Sequence, residues 1–395
     1  MTVKIMIIFE SIRNNYLKFV AYSKKYRGFG IKFKQKKNSM KKFTALALLS
    51  IALLSCKKET KTVTKIDPET GKSITVEVPA ENATDSTAVA QTSTNAAAPA
   101  IYETAGVYKQ TFKLEKGQTY PLKTYQKDVQ TMTAPDGKSQ SGTSEMTDEM
   151  SFTVNDFKDG IYDISINLVG KRNSQSANGK TVSIDTQQAE PKDEQLKMMW
   201  KVNKALVGNK LNLKMSETGK VVSITGFDPI YNKVSSAVSS GIKDAKAKTA
   251  FISSFKQSFN EKSLKDQIAK NLVLIPEKGV KIGEKWTESE NATPDGKIKL
   301  VTTYELKNVG NGIAQIGVTG GIPKKSDKQT QQGITRSVSS ELSQNGTITL
   351  DQNTGWVKNQ NISVKTTQAE TLSDGKQSQT MKSTSNSTVV VNPGK

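Results

Sequence analysis

Between about residues 101 and 391 the chain is patterned with a period of two. Phe152 and Val154, then Ile161, Ile164, Ile166 and Leu168, then Leu211, Leu213 and Met215 set apolar side chains along one face of each segment. A strand shows the same face at every second residue, so each run predicts a strand with one packed side. The runs end in turn chemistry: Lys158-Asp159-Gly160, Asn178-Gly179 and Glu217-Thr218-Gly219. Short alternating runs joined by Gly and Asn turns predict antiparallel pairing.

The pattern also recurs. Glu115-Lys116-Gly117-Gln118-Thr119-Tyr120 returns as Lys281-Ile282-Gly283-Glu284-Lys285-Trp286, and the stretch 152–170 around Gly160 returns as 304–321 around Gly312. A third block, 208–221 with Gly208 and Gly219, pairs with 346–357 and its Gly346 and Gly355. Three blocks in one order predict two similar β-rich lobes. Between them the period lengthens to that of a helix over 229–241, 244–259 and 263–274, with Ser263 as an N-cap and Pro276 as a stop. Phe251, Phe255 and Phe259 share one face of the middle helix. A further helix is predicted over 193–206, with Leu196, Met199, Trp200 and Leu206 turned inward. The fold class is therefore α+β, predominantly antiparallel β, with a first half at 101–228, a helical linker at 229–276 and a second half at 277–391.

The N-terminal hundred residues follow other rules. Lys41 and Lys42 precede an apolar and small-residue run from Phe43 to Leu54, which ends in Leu53-Leu54-Ser55-Cys56. Twelve helical residues span roughly 18 Å against a hydrocarbon core of ~30 Å, so the run suits a signal peptide at 40–55 rather than a permanent span. Its ending resembles the bacterial lipobox. That resemblance implies lipid on the Cys56 thiol and cleavage just before it. Cys56 is the single cysteine of 395 residues, so no disulfide within the chain is available. Residues 1–39 precede a signal that needs nothing before it and are read as a misassigned upstream extension, with Met40 as the start. Residues 56–100 form the lipidated N-terminus and a disordered tether. A short hairpin is expected across the turn at 67–72, and 80–100 is too poor in apolar surface to order itself.

Charge narrows the partners. The chain has 57 Lys+Arg against 37 Asp+Glu, but residues 1–56 hold 12 basic residues and one acidic one. After that point only Arg172 and Arg336 remain among the arginines, and the lysines are spread singly. No arginine cluster or aromatic-interleaved stripe is left for nucleic acid, so no nucleic-acid partner is expected. The chain has no histidine, which removes His-based nucleophile pairs, His-ligated zinc and the commonest general base near neutrality. Carboxylates survive as candidates. Glu145, Asp148 and Glu149 cluster before a strand, as a glycosidase pair would need, but their spacing reads better as a solvated edge. Asp351-x-Asn353-x-Gly355 opens like a calcium loop and lacks the later bidentate glutamate, so a hairpin turn is expected there.

The run Val280-Lys281-Ile282-Gly283-Glu284-Lys285-Trp286 after Leu274-Ile275-Pro276, with the earlier Ser216-Glu217-Thr218-Gly219-Lys220-Val221, resembles an uncharacterised family of Bacteroidota envelope lipoproteins, DUF6263-like. The likeness covers about 110–364 and brings no catalytic residues. It implies an outer-membrane lipoprotein, on the periplasmic face or at the cell surface. Together these readings predict a non-enzymatic, cofactor-free and metal-free binding module held to the membrane through Cys56. Its expected ligand is an amphiphile held against a curved sheet, or an envelope protein. The alternative is a carboxylate-dependent hydrolase of glycans.

Overall fold

The computed structural model describes residues 60–66, 73–79, 98–293 and 296–393. The extension at 1–39, the signal at 40–55, Cys56 and the tether at 80–97 lie outside the described residues. Strands β1 (Thr60–Ile66) and β2 (Ser73–Pro79) pair antiparallel from Thr60↔Pro79 to Ile66↔Ser73, which is the hairpin expected across 67–72. They stand in a unit separate from the body.

The body starts earlier than the predicted residue 101. Ala100 is fully buried, and its N–H donates to the Asn353 carbonyl at 3.2 Å. A small hairpin, β3 (Ile101–Thr104) and β4 (Val107–Gln110), comes first. The first half follows as β5 (Thr119–Thr133), β6 (Ser139–Lys158), β7 (Ile161–Ala177), β8 (Lys180–Asp185), helix α1 (Glu194–Leu206), β9 (Lys210–Ser216) and β10 (Val221–Thr225). Three helices come next: α2 (Phe227–Gly241), α3 (Ala245–Ser258) and α4 (Glu261–Leu272). The second half is β11 (Lys285–Asn291), β12 (Lys299–Gly310), β13 (Ile313–Gln331), β14 (Ile334–Asp351), β15 (Val357–Ser373) and β16 (Ser378–Val391). Antiparallel β predominates, as the alternation predicts.

The halves share one 12-stranded sheet, in the order β10-β9-β7-β6-β5-β16-β15-β14-β13-β12-β11 with β8 also on β7. The junction is β16 on β5, with Val391 opposite Thr124. The repeat read from the sequence is carried by the register. Tyr120 faces Phe152 on β6, as Trp286 faces Tyr304 on β12. Each inner strand then shifts register two residues beyond that aromatic, between Val154 and Asp156 and between Leu306 and Asn308. Each ends in a turn with two positive φ values, Asp159 (52°) and Gly160 (74°), or Asn311 (52°) and Gly312 (75°). Two successive positive φ values make the hairpin turn whose twist matches the strands. In the third block the equivalence differs from the sequence pairing. Leu213 faces Ile164 as Ile348 faces Ile316, so Gly346 is the counterpart of Leu211 and not of Gly208.

Buried side chains of both halves form one core, including Phe152, Ile164 and Leu213 from the first and Tyr304, Ile316 and Ile348 from the second. Trp356 ties the halves together. Its ring lies 5.2 Å from Phe152 and 5.3 Å from Tyr120, and its Nε1 donates to the Pro121 carbonyl at 3.0 Å.

Helix α4 meets both free edges of the sheet. At β10, Glu261 accepts the Ile224 N–H at 3.2 Å and the Lys265 ammonium donates to the Val222 carbonyl at 2.7 Å. At β11, Lys270 pairs with Glu290 at 2.5 Å. A 12-residue helix is about 18 Å long, so the sheet is curled enough to bring its edges within that length. Side chains thus occupy edge groups that would otherwise be open to another strand. The Lys265 ammonium, with the Ile224 N–H, holds the Glu261 carboxyl below the usual carboxylate range.

Local details depart from expectation where capping and packing compete with periodicity. Helix α4 begins after Asn260, whose side chain accepts the Ser263 N–H, so Ser263 is the capped donor rather than the cap. It ends at Leu272, ahead of Pro276. Met199 points outward and is half exposed, leaving Met198 to pack against the core. Phe255 and Phe259 stack at 5.5 Å, whereas Phe251 is exposed.

Candidate functional site

Where α4 packs on the sheet there is no room for a ligand. Leu264 and Ile268 of α4 lie against Leu122, Met150, Ile166, Leu168 and Leu211, and the space left between them is about 10 Å³. That is at the lower limit for a single water, so the sheet and its helix are packed together. An amphiphile is not accommodated there without displacing α4.

A larger opening lies between α1 and α2. It is a shallow, wide-open groove of about 510 Å³. The groove is lined by Trp200, Ala205 and Ala237 and by the charged Lys201, Lys204, Lys233 and Glu190. Helix α1 is anchored at both ends. Asp193 accepts the Leu196 N–H at its start, and the amide of Asn209 donates to the Ala205 and Leu206 carbonyls at its end, each at 2.7 Å. These are last-turn carbonyls that no helical N–H reaches.

The anchoring also aims the groove side chains. The Trp200 Nε1 donates to the Asp185 carbonyl at 2.9 Å, which fixes the indole against the end of β8. Lys204 donates to the Thr186 carbonyl at 2.8 Å and stands 5.8 Å from the Trp200 ring. The buried Asn209 turns its oxygen to the Lys233 ammonium at 2.8 Å. Among the described residues, Lys204 and Lys233 therefore rest on neutral oxygens and form no ion pair. Glu190 serves Lys197 at 3.3 Å and Lys201 at 3.8 Å, and its hydrogen bond is the main cause of the raised Lys197 pKa. The groove holds three ammonium groups against one carboxylate, and that carboxylate is shared with a lysine beside it.

The carboxylates singled out in the sequence are not assembled into a cleft. Glu145, Asp148 and Glu149 lie within the 20-residue strand β6, so Asp148 is on the face opposite the other two. Each is taken by a lysine of an adjacent strand: Lys127 for Glu145, Lys171 for Asp148 and Lys123 for Glu149. Asp351 closes a turn, accepting the N–H groups of Asn353 and Thr354 at 3.0 and 2.9 Å, which is the hairpin role expected for 351–355. Cys56 lies outside the described residues. The groove residues were missed because single lysines read as solvated surface. One signal was present: Lys197, Lys201 and Lys204 recur at i, i+4 and i+7 along one side of α1.

A family model described as a family of unknown function (DUF6263) matches residues 159–357, from the turn before β7 to the start of β15. No curated protein matches. Among solved structures, one described as lipid-protein interactions in lipovitellin aligns at 10% identity with a TM-score of 0.32, covering 71% of this chain and 26% of that one. The chain thus spans about a quarter of the lipovitellin chain. An outer membrane channel from Pseudomonas putida F1 aligns at 9% identity with a TM-score of 0.17, covering 71% of this chain and 97% of that chain.

Proposed function

Since the chain belongs to this family of unknown function, we propose, from the sequence at 40–56 and the geometry of the body, that it is a lipid-anchored cell-envelope lipoprotein whose body is a non-catalytic binding module. The groove between α1 and α2 is its ligand site, and the lipid on Cys56 holds it to the outer membrane. The observation that carries the binding reading is the groove itself, where Trp200, Lys204 and Lys233 are each held in place by a hydrogen bond to the protein. Side chains oriented before a ligand arrives lower the entropy cost of binding it. The address is supported by the pattern at 40–56, a short apolar run ending in the chain's single cysteine. One long acyl chain holds a protein only marginally, and two or more hold it durably.

Native mass spectrometry of the whole chain purified from its own envelope in detergent tests the binding reading. A ligand of defined mass is expected on the wild type and lost from Trp200→Ala, whose indole lines the groove. A ligand retained by the variant, or none on either protein, contradicts it. Labelled fatty acid tests the address separately, because Cys56→Ala should lose the label and leave the membrane fraction.

A further inference from the structure

The geometry points to a phosphate-bearing headgroup as the ligand of this groove, an assignment that rests on the groove being the binding site. Lys201 and Lys204 come from α1 and Lys233 from α2, so cations approach the opening from two separate helices. An ammonium has three donors. Lys204 and Lys233 each use one on a neutral oxygen of the protein, which sets the direction of the remaining two and leaves the charge uncompensated. Three ammonium groups against the single carboxylate of Glu190 leave an excess of positive charge, which favours an anion that neutralises it.

The donor type narrows the anion. A guanidinium fork matches the flat edge of a carboxylate, and none lines the groove. Separate ammonium groups act as point charges and suit a tetrahedral group that accepts from several directions, as lysines do in phosphate sites. Trp200, Ala205 and Ala237 offer apolar surface beside the charges, suited to the glycerol or sugar carbons next to a phosphate ester. Asn209 is a positioning residue: it is buried, it holds the end of α1, and it aims Lys233. A phospholipid headgroup and a soluble sugar phosphate share this chemistry.

Trp200 gives the readout, since the other two tryptophans, Trp286 and Trp356, are buried. The whole chain in non-ionic detergent is titrated with glucose 1-phosphate and with dihexanoyl phosphatidic acid, and with glucose and dihexanoylglycerol as their neutral counterparts. At least one phosphate probe is expected to move the Trp200 emission and to bind about tenfold or more tighter than its counterpart, with affinity falling as salt rises. The Lys204→Gln/Lys233→Gln variant should lose that preference while still unfolding in one cooperative thermal transition, as the wild type does. Binding of the lipid probe alone assigns a membrane source, and binding of the sugar phosphate alone a soluble one. If neutral probes move the emission as strongly and the double variant is unchanged, the phosphate assignment is overturned while the groove remains a binding site. If no probe moves it, the assignment is overturned whatever the native mass spectrum shows of the groove.

Discussion

The two halves use the same strands differently. In the second half β14 is one strand of 18 residues that follows β13 along its length, with a single register shift between Ile322 and Lys325. In the first half the equivalent strand is in two pieces: β9 pairs with residues 161–167 of β7, and β8 pairs with residues 172–177. Residues 186–209 stand between the pieces and carry α1, Glu190, Trp200, Lys201, Lys204 and Asn209. The repeated part supplies the packed sheet, and the insertion in one copy supplies most of the groove. The candidate groove lies where the repeat is broken, and the inserted helix packs Met198, Val202 and Leu206 against the shared core.

The comparison can be broken first at its paired glycines. Gly219 and Gly355 follow equivalent strands at φ 83° and 74°. A Cβ at Gly355 would overlap the Thr111 carbonyl oxygen, and one at Gly219 would overlap the Phe112 ring and Val273. Alanine at either should cost about 3 kcal/mol or more in urea unfolding, with Gly355 the worse because a backbone group yields less than a side chain. Equal, small losses would show that these turns are not close-packed. The turn glycines Gly160 and Gly312 come next. Neither would place a Cβ within 4 Å of other atoms, so only the positive φ is charged, at ~1 to 2 kcal/mol each and matched between the halves. Unequal costs would sink the equivalence of the two hairpins.

A smaller effect separates the halves by pH. Phe152 and Tyr304 hold equivalent places, but only Tyr304 can ionise, and burial first, then the charge of Glu288, pushes its pKa up. The unfolded chain releases this proton near the ordinary value of 10.0 and the folded chain does not, so stability falls as pH rises past that value. Tyr304→Phe should flatten this alkaline slope in thermal melts taken across it. A slope unchanged in the variant would assign it to other groups.

Much of this fold was legible in the residues. Alternation at Ile164-Ile166 and Leu211-Leu213, with Gly at the turns, defines strands because one face is apolar and the other is not. The signal fades where the inner face itself is polar. Thr124, Gln126 and Ser387 are buried on long strands, and Ser387 binds Asp128, so β16 shows little alternation along its Ser and Thr residues. Gly346 misled the third block because a glycine within a strand looks in sequence like a glycine at a turn. A Cβ there would meet the Asn361 carbonyl oxygen, which is the reason for its absence. The union of β8 with β9 was hidden because 24 residues part them, and pairing on a common neighbour is a property of space. For the same reason the groove was not readable: Lys233 joins Lys204 only through Asn209 and the packing of α1 on α2.

Hydrogen exchange of the whole chain, measured free, with glucose 1-phosphate and with dihexanoyl phosphatidic acid, tests the central claim most directly. Added protection is predicted in residues 186–209 and in α2, with β13 and β14 of the uninterrupted half unchanged. Protection centred on β13 and β14, or none in α1 and α2, would contradict the assignment of function to the broken strand.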